Sequence, residues 1–297
     1  MSSAAPFPPR IALVVAVLAV STSAVFIRFA DAAPLVVAFY RCVIATAVLG
    51  AIGWRECRAE LPNLSGRERW LAVGTGLALA LHFATWISSL SYTTVASSLV
   101  LVNTTPLWVA MLAPFVSHDR VRPGTWIGVG VSVVGCVLIG VADLGPDGSF
   151  DLSGSALWGD LLALAGAWLC AVYMLAGRRL RRSLSLLPYV TACYGSAAAF
   201  LLVFALGSGD TLLGLPTATY GWLIVVALVP QVLGHSSYNY ALKYESAPLV
   251  SVVSLGESVG ATLLAWAFLS ETPPPLALAG GVVVIAGVLV ALRAERS

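Results

Sequence analysis

The sequence predicts an all-α polytopic membrane protein, with ten transmembrane helices arranged as two inverted five-helix repeats. Three observations carry that prediction. The chain of 297 residues is 59% hydrophobic and only 10% charged, with a mean hydropathy of +0.92, whereas soluble domains carry about 25% charged residues. Its apolar residues fall into ten runs, each close to the ~20 residues needed to cross a hydrocarbon core. Basic residues crowd every second loop between those runs, and the second half of the chain repeats the first at an offset of 152 residues.

The runs can be taken in order. The first, 11–29, follows Arg10 and ends near "STSA". It resembles a signal peptide, but with many spans downstream it reads as a retained first helix. The second, 35–54, is separated from the first by Asp31, and Arg55, Arg58, Arg67 and Arg69 lead from it into the third, 69–90. The fourth, 95–116, ends ahead of Arg120 and Arg122, which precede the fifth, 124–142. Asp143, Asp147 and Asp151 then lead to the sixth, 156–176, which is followed by "GRRLRR" (Arg178, Arg179, Arg181, Arg182). The seventh, 186–206, is followed by Asp210, and the eighth, 217–242, by Lys243. The eighth is long, and its polar end "SSYNYALKYE" either leaves the membrane or lines a cavity. Glu271 divides the ninth, 248–269, from the tenth, 276–292, beyond which lie Arg293 and Arg296.

Fourteen of the 16 basic residues thus sit in alternate loops. By the positive-inside rule both termini are cytoplasmic, in a multi-pass protein of the cell inner (plasma) membrane. The repeat sets Tyr92 on Tyr244, Asp119 on Glu271, Gly128 on Gly280 and Gly135 on Gly287. It divides the chain into residues 1–145 and 146–297. Five spans per repeat is an odd number, so the halves enter the membrane from opposite sides. That inverted pseudosymmetry is the architecture of many secondary transporters, whose binding sites lie near the midplane.

The same residues carry a family resemblance. "PLVVAFYRCVIA" (34–45), "LHFATWISSLSYTTVASSLVLVNTTPLWVAMLAP" (81–114) and "YESAPLVSVVSLGESVGATLLAWAFLSE" (244–271) resemble the EamA branch of the drug/metabolite transporter superfamily, as two tandem EamA repeats. The resemblance implies ten helices around a central cavity, and export or exchange of a small metabolite by alternating access. Its nearest functional model is the aromatic amino-acid exporters. Where the second repeat of the family commonly reads Glu-Pro, this chain has "ESV". With Ser258 in place of proline, a kink in the ninth span is not expected.

Polar side chains inside apolar spans are the candidate site. In "YTTVASSLVLVNTTPLWVAMLAP" (92–114), Ser97, Ser98, Thr104, Thr105 and Trp108 share one helical face, while Asn103 points elsewhere. Pro106 can kink that span. Such hydroxyls either line a cavity or tighten packing and bond back to their own helix. Span three sets His82, Trp86 and Ser89 on one face together with Thr85; span eight sets Gln231, His235 and Tyr238 at matching spacing. The two histidines fall within one residue of each other under the repeat, and imidazole can handle protons near neutrality. Trp86, Trp108, Trp168 and Tyr238 could stack on a flat substrate, or could pack or anchor at the interface.

Two charges lie within spans, where charge is costly. Glu257, on a face with Ser254, Ser258 and Ala261, is a protonatable coupling group, a partner for a substrate ammonium, or a structural anchor. Arg41 takes a substrate carboxylate, or snorkels and pairs with an acid such as Asp31. The small residues of "GTWIGVGVSVVGCVLIG" and "AGGVVVIAG" permit close helix contact and are expected to hold each half together.

Other classes find little support. A net charge of +2 and the lack of a basic, aromatic-interleaved patch argue against nucleic acid. Five cysteines without a CxxC pair suggest neither a disulfide framework nor a zinc site. No metal and no cofactor is expected, no phosphate loop is present, and no HExxH marks a membrane enzyme. The expected partners are a small-molecule substrate and membrane lipid, with a monomer as the simplest state and an oligomer left open. The alternative function is a flippase for a lipid-linked substrate, or a non-transporting membrane module.

Overall fold

A computed structural model describes residues 5–89, 91–93, 95–142, 154–269 and 272–295. The regular elements among them are helical. The first apolar segment is α1 (Pro9–Ser21) and α2 (Ser23–Ala30), interrupted at Thr22, and it is followed by α3 (Pro34–Ile52) and a short α4 (Trp54–Glu60). Then come α5 (Gly66–Ser89), the broken pair α6 (Val95–Val102) and α7 (Thr105–Val116), and α8 (Pro123–Ala142). The second half contains α9 (Gly154–Leu180), α10 (Leu186–Gly207), and α11 (Thr217–Val226), which runs through a π-helical stretch, Ala227–His235, into α12 (Ser236–Ala241). The pair α13 (Ala247–Ser254) and α14 (Gly256–Leu269), and finally α15 (Pro275–Ala294), complete it. Among the described residues, eight segments are long and apolar enough to cross a membrane, and Val100–Val116 and Pro123–Ile139 form shorter apolar stretches. The expected division near residue 145 lies outside the described residues.

Prolines open α1, α3, α8 and α15, where a missing N–H costs nothing because the first-turn amides have no helical partner. Ser246 caps α13 by accepting from the Leu249 amide at 3.4 Å.

The repeat is visible in the packing. Adding 152 to the bounds of α3 gives the start of α10, and adding it to α8 reproduces α15. These equivalent helices pack against each other, α3 on α10 and α8 on α15. A Cβ placed on Gly128 would lie 2.7 Å from the Gly287 carbonyl, and one on Gly135 would lie 2.7 Å from that of Gly280. As one helix ascends the other descends, so α8 and α15 are antiparallel although they are repeat equivalents. The halves are therefore inverted. This seam also corrects an expectation: the small residues join one half to the other rather than holding each half together. At these distances only glycine admits the opposing backbone.

The ninth span supplies a second correction. It breaks at Leu255 without a proline, between α13 and α14. Leu255 N–H bonds to Val252 at 3.2 Å and Ser258 N–H bonds to Leu255 at 3.2 Å, the tightened i→i+3 pattern. The fourth span does the same near Thr104, whose N–H bonds to Leu101 at 3.1 Å. The two breaks agree within one residue under the repeat and are tied together, since Asn103 Nδ2 donates to Ser258 Oγ at 3.0 Å. Ser258, in the place of the family's proline, accepts that bond.

One end of the bundle gathers the basic loops. Arg10 pairs with Glu245 at 3.5 Å, and Arg122 donates to the Ala294 carbonyl at 2.7 Å. Asp119 is buried there between Arg178 and Arg182, at 3.2 Å from each. It also accepts from Ser117 Oγ at 2.9 Å and from the Ala247 amide at 3.3 Å.

Candidate functional site

Where the halves meet, a polar cluster forms from α3 and α5 of the first repeat and from the π stretch, α12 and α14 of the second. α5 is an unbroken helix, which sets His82 and Trp86 one turn apart with their rings stacked, 6.0 Å between centroids and 5° between planes. The His82 Nδ1 lies 2.9 Å from the Gly166 carbonyl. A carbonyl only accepts, so Nδ1 carries the proton and, in the neutral ring, Nε2 is left as an acceptor. The π stretch has a local cause in Pro230, which lacks the N–H an α-helix would use. Its widened turn closes with the Ser236 amide on the Gln231 carbonyl, and π-bulges of this kind frequently mark functional positions.

Arg41 anchors the cluster. It is 2% exposed, so it does not snorkel. Its guanidinium lies 4.4 Å over the Phe83 ring, and its Nε donates to Gln231 Oε1 at 2.9 Å. Because Nε only donates, Gln231 must present its oxygen to Arg41, which leaves its amide Nε2 for something else. Phe83 meets His235 edge-on at 6.0 Å, and His235 meets Tyr238 edge-on at 6.5 Å. The Tyr238 hydroxyl lies beside the Glu257 carboxyl but completes no hydrogen bond. Glu257 is within electrostatic range of Arg41, yet the two form no ion pair. Trp86, His235 and Glu257 are half-buried, while Arg41 and Gln231 are fully enclosed.

The cluster is unsatisfied. Five buried side-chain polar atoms among the described residues have no hydrogen-bond partner in the protein, and four of them are here: Arg41 Nη2, Gln231 Nε2, Trp86 Nε1 and Tyr238 Oη. Each such group costs about 1–3 kcal/mol if it stays unpaired. Toward the basic end, where the fifth such atom, Tyr189 Oη, lies beside Gly177, the network around Asn239 is instead paired. Asn239 Nδ2 donates to Tyr173 at 2.7 Å and to Tyr194 at 3.0 Å, and Arg181 Nε donates to the Asn239 carbonyl at 3.0 Å.

The structure thus brings together Arg41, His82, Trp86, Gln231, His235, Tyr238 and Glu257. Other candidates spend their polar groups elsewhere. Ser89 bonds the Trp86 carbonyl and Ser98 Oγ, both at 2.6 Å. Thr104, Thr105 and Ser254 bond back to carbonyls of their own segments at 2.6, 2.7 and 2.8 Å. Trp108 is half-buried against the core, and Trp168 lies on the exposed surface at 45%. The side chain of Ser97 lies outside the described residues. Sequence reasoning missed Phe83, the ring on which the cluster turns. Its position next to His82 was the available signal, but an apolar residue in an apolar span does not stand out.

Comparisons with known proteins agree with this architecture. The sequence model of the EamA-like transporter family matches residues 9–141 and again 157–293. An uncharacterized transporter of Archaeoglobus fulgidus is 28% identical over 260 residues, 86% of either chain. A probable terminal-alkyne amino-acid exporter of Streptantibioticus cattleyicolor is 27% identical, over 82% of this chain and 77% of its own. One crystal structure aligns with a TM-score of 0.79 over 97% of this chain and 98% of the other, and at 21% identity that likeness shows the fold alone. Two matches of the family model, one to each inverted half, establish that this multi-pass membrane protein belongs to the EamA-like transporter family.

Proposed function

We propose that the protein is a secondary transporter that exports or exchanges a small metabolite across the plasma membrane by alternating access. The substrate is an amino acid or a similar molecule, aromatic ones included. The observation that carries this reading is the cluster around Arg41 and Glu257: four unpartnered buried polar atoms at the junction of two inverted halves. The Asn239 network, by contrast, is paired within the protein. Inverted halves of nearly equal energy can expose such a site alternately to either side. The named amino-acid exporter among the relatives supports the substrate class. The basic end is cytoplasmic in this reading, which places both termini inside.

The test is flux by the purified protein in liposomes, with labelled amino acids and nucleosides under an imposed pH gradient. Saturable flux of at least one solute is expected. Folded protein in intact vesicles that moves none of them would overturn metabolite transport and favour the flippase reading.

A further inference from the structure

Taken together, the unmet groups of the cluster have a definite charge pattern. Arg41 and Gln231 are locked to each other at 2.9 Å, and each keeps one donor, Nη2 and Nε2, without a partner. Two donors on side chains bonded to each other form a fork, and a fork of N–H donors is filled by an oxyanion, a carboxylate or a phosphate, that accepts on two oxygens. The guanidinium of Arg41 contacts a ring face and a neutral amide and makes no ion pair. Glu257, within electrostatic range of Arg41, is the acid of the same cluster and forms no ion pair with it.

We infer that the site binds its substrate as a zwitterion: the carboxylate accepts from Arg41 Nη2 and Gln231 Nε2, the ammonium group donates to Glu257, and the side chain lies against Trp86. The inference rests on the transport reading and narrows it to α-amino acids. A base and an acid in one cluster, not paired with each other, match a molecule that carries both a carboxylate and an ammonium group. A nucleoside offers carbonyls and N–H groups but leaves both protein charges uncompensated in a medium that penalises them. A purely anionic metabolite meets Glu257 as a like charge, and a purely cationic one meets Arg41. Trp86, half-buried with its indole N–H unpartnered and stacked on the His82 ring, is the aromatic surface of the cluster.

The experiment compares one amino acid with its own amputated forms. Twenty labelled L-amino acids, a nucleoside panel and a sugar panel are first screened for flux in liposomes containing the full chain. The amino acid that moves fastest is then set against the amine lacking its carboxylate and the acid lacking its ammonium group. Flux at least tenfold above both is expected. Arg41→Lys keeps the charge but loses the fork, and should lower amino-acid flux tenfold or more. Glu257→Gln should bring the ratio of amino acid to desamino acid below twofold, a change of selectivity that a merely structural role would not produce. Equal flux of the amino acid and either amputated form by the wild type overturns the zwitterion site, whether or not the variants fold. So does flux of a nucleoside or sugar with none for amino acids, and in both cases transport itself stands. No flux of any solute overturns the transport reading and this inference with it.

Discussion

Asp119 and Arg41 are both charged and both buried, and the protein uses them in opposite ways. Both oxygens of Asp119 are occupied, by Arg178, Arg182, Ser117 and the Ala247 amide. Arg41 makes one hydrogen bond and leaves Nη2 with nothing in the protein to bind. A buried charge that is fully paired with good geometry belongs to the scaffold, whereas breaking such a set strands its partners. A buried charge left half-paired costs stability in the folded chain, and in the proposed transport cycle the substrate completes it. The difference follows their positions. Asp119 ties the loop after α7 to α9 and α13 at the basic end, whereas Arg41 sits where the halves face each other.

Substitutions at four positions break or sharpen that contrast, in order of expected loss of stability. The largest loss should come from the seam, where no charge is involved. Gly135→Leu places a Cβ 2.6 Å from the Val284 amide and 2.7 Å from the Gly280 carbonyl, backbone atoms that cannot step aside. A destabilisation of about 3 kcal/mol is expected from overpacking, read as a lowered thermal midpoint in detergent. An unchanged midpoint would mean that the halves are not joined by this seam.

Asp119→Ala should cost about 2 kcal/mol, less than for a fully buried pair because Arg182 is partly exposed and water can take up its charge. Asp119→Asn, which keeps the shape, should recover part of that loss. Asn103→Ala removes the bond that ties the two helix breaks and should cost about 0.6 kcal/mol, typical of an interhelical hydrogen bond in a membrane. Smallest of all should be Arg41→Met. Replacing a half-satisfied buried charge by an apolar chain of similar length is expected to change stability by under about 1 kcal/mol, in either direction, while flux is lost. A strong loss of stability in Arg41→Met would make Arg41 a second scaffold charge, like Asp119.

Much of the architecture was legible in the sequence. The run 186–206 becomes Leu186–Gly207 and the run 276–292 becomes Pro275–Ala294, because a hydrocarbon core imposes a length and composition that single residues cannot disguise. The offset of 152 residues, read from pairs such as Gly128 and Gly280, carries through to the matching bounds of α8 and α15. The alternation of charge likewise becomes one basic end, where Arg10, Arg122 and Arg178 find their partners. The odd number of spans read for each repeat predicts the inversion that the antiparallel packing of α8 on α15 displays.

The tertiary structure decided how those helices meet. That the glycines of α8 face α15 rather than their own half depends on which surfaces pack together, and small-residue spacing describes a surface without naming its partner. The break at Leu255 needed no proline, because i→i+3 bonds and the Asn103–Ser258 contact supply it. The π stretch at Ala227–His235 re-aims Gln231 by widening one turn, a change that 3.6-residue periodicity does not anticipate. Ser89, Thr104, Thr105 and Ser254 have the residue types of a cavity wall, yet their hydroxyls are consumed locally. Arg41, Phe83, Gln231 and Glu257 come together from four separate segments. A sequence fixes which side chains a helix carries and on which face; which of their polar atoms remain unpaired is settled only when the other helices have taken theirs.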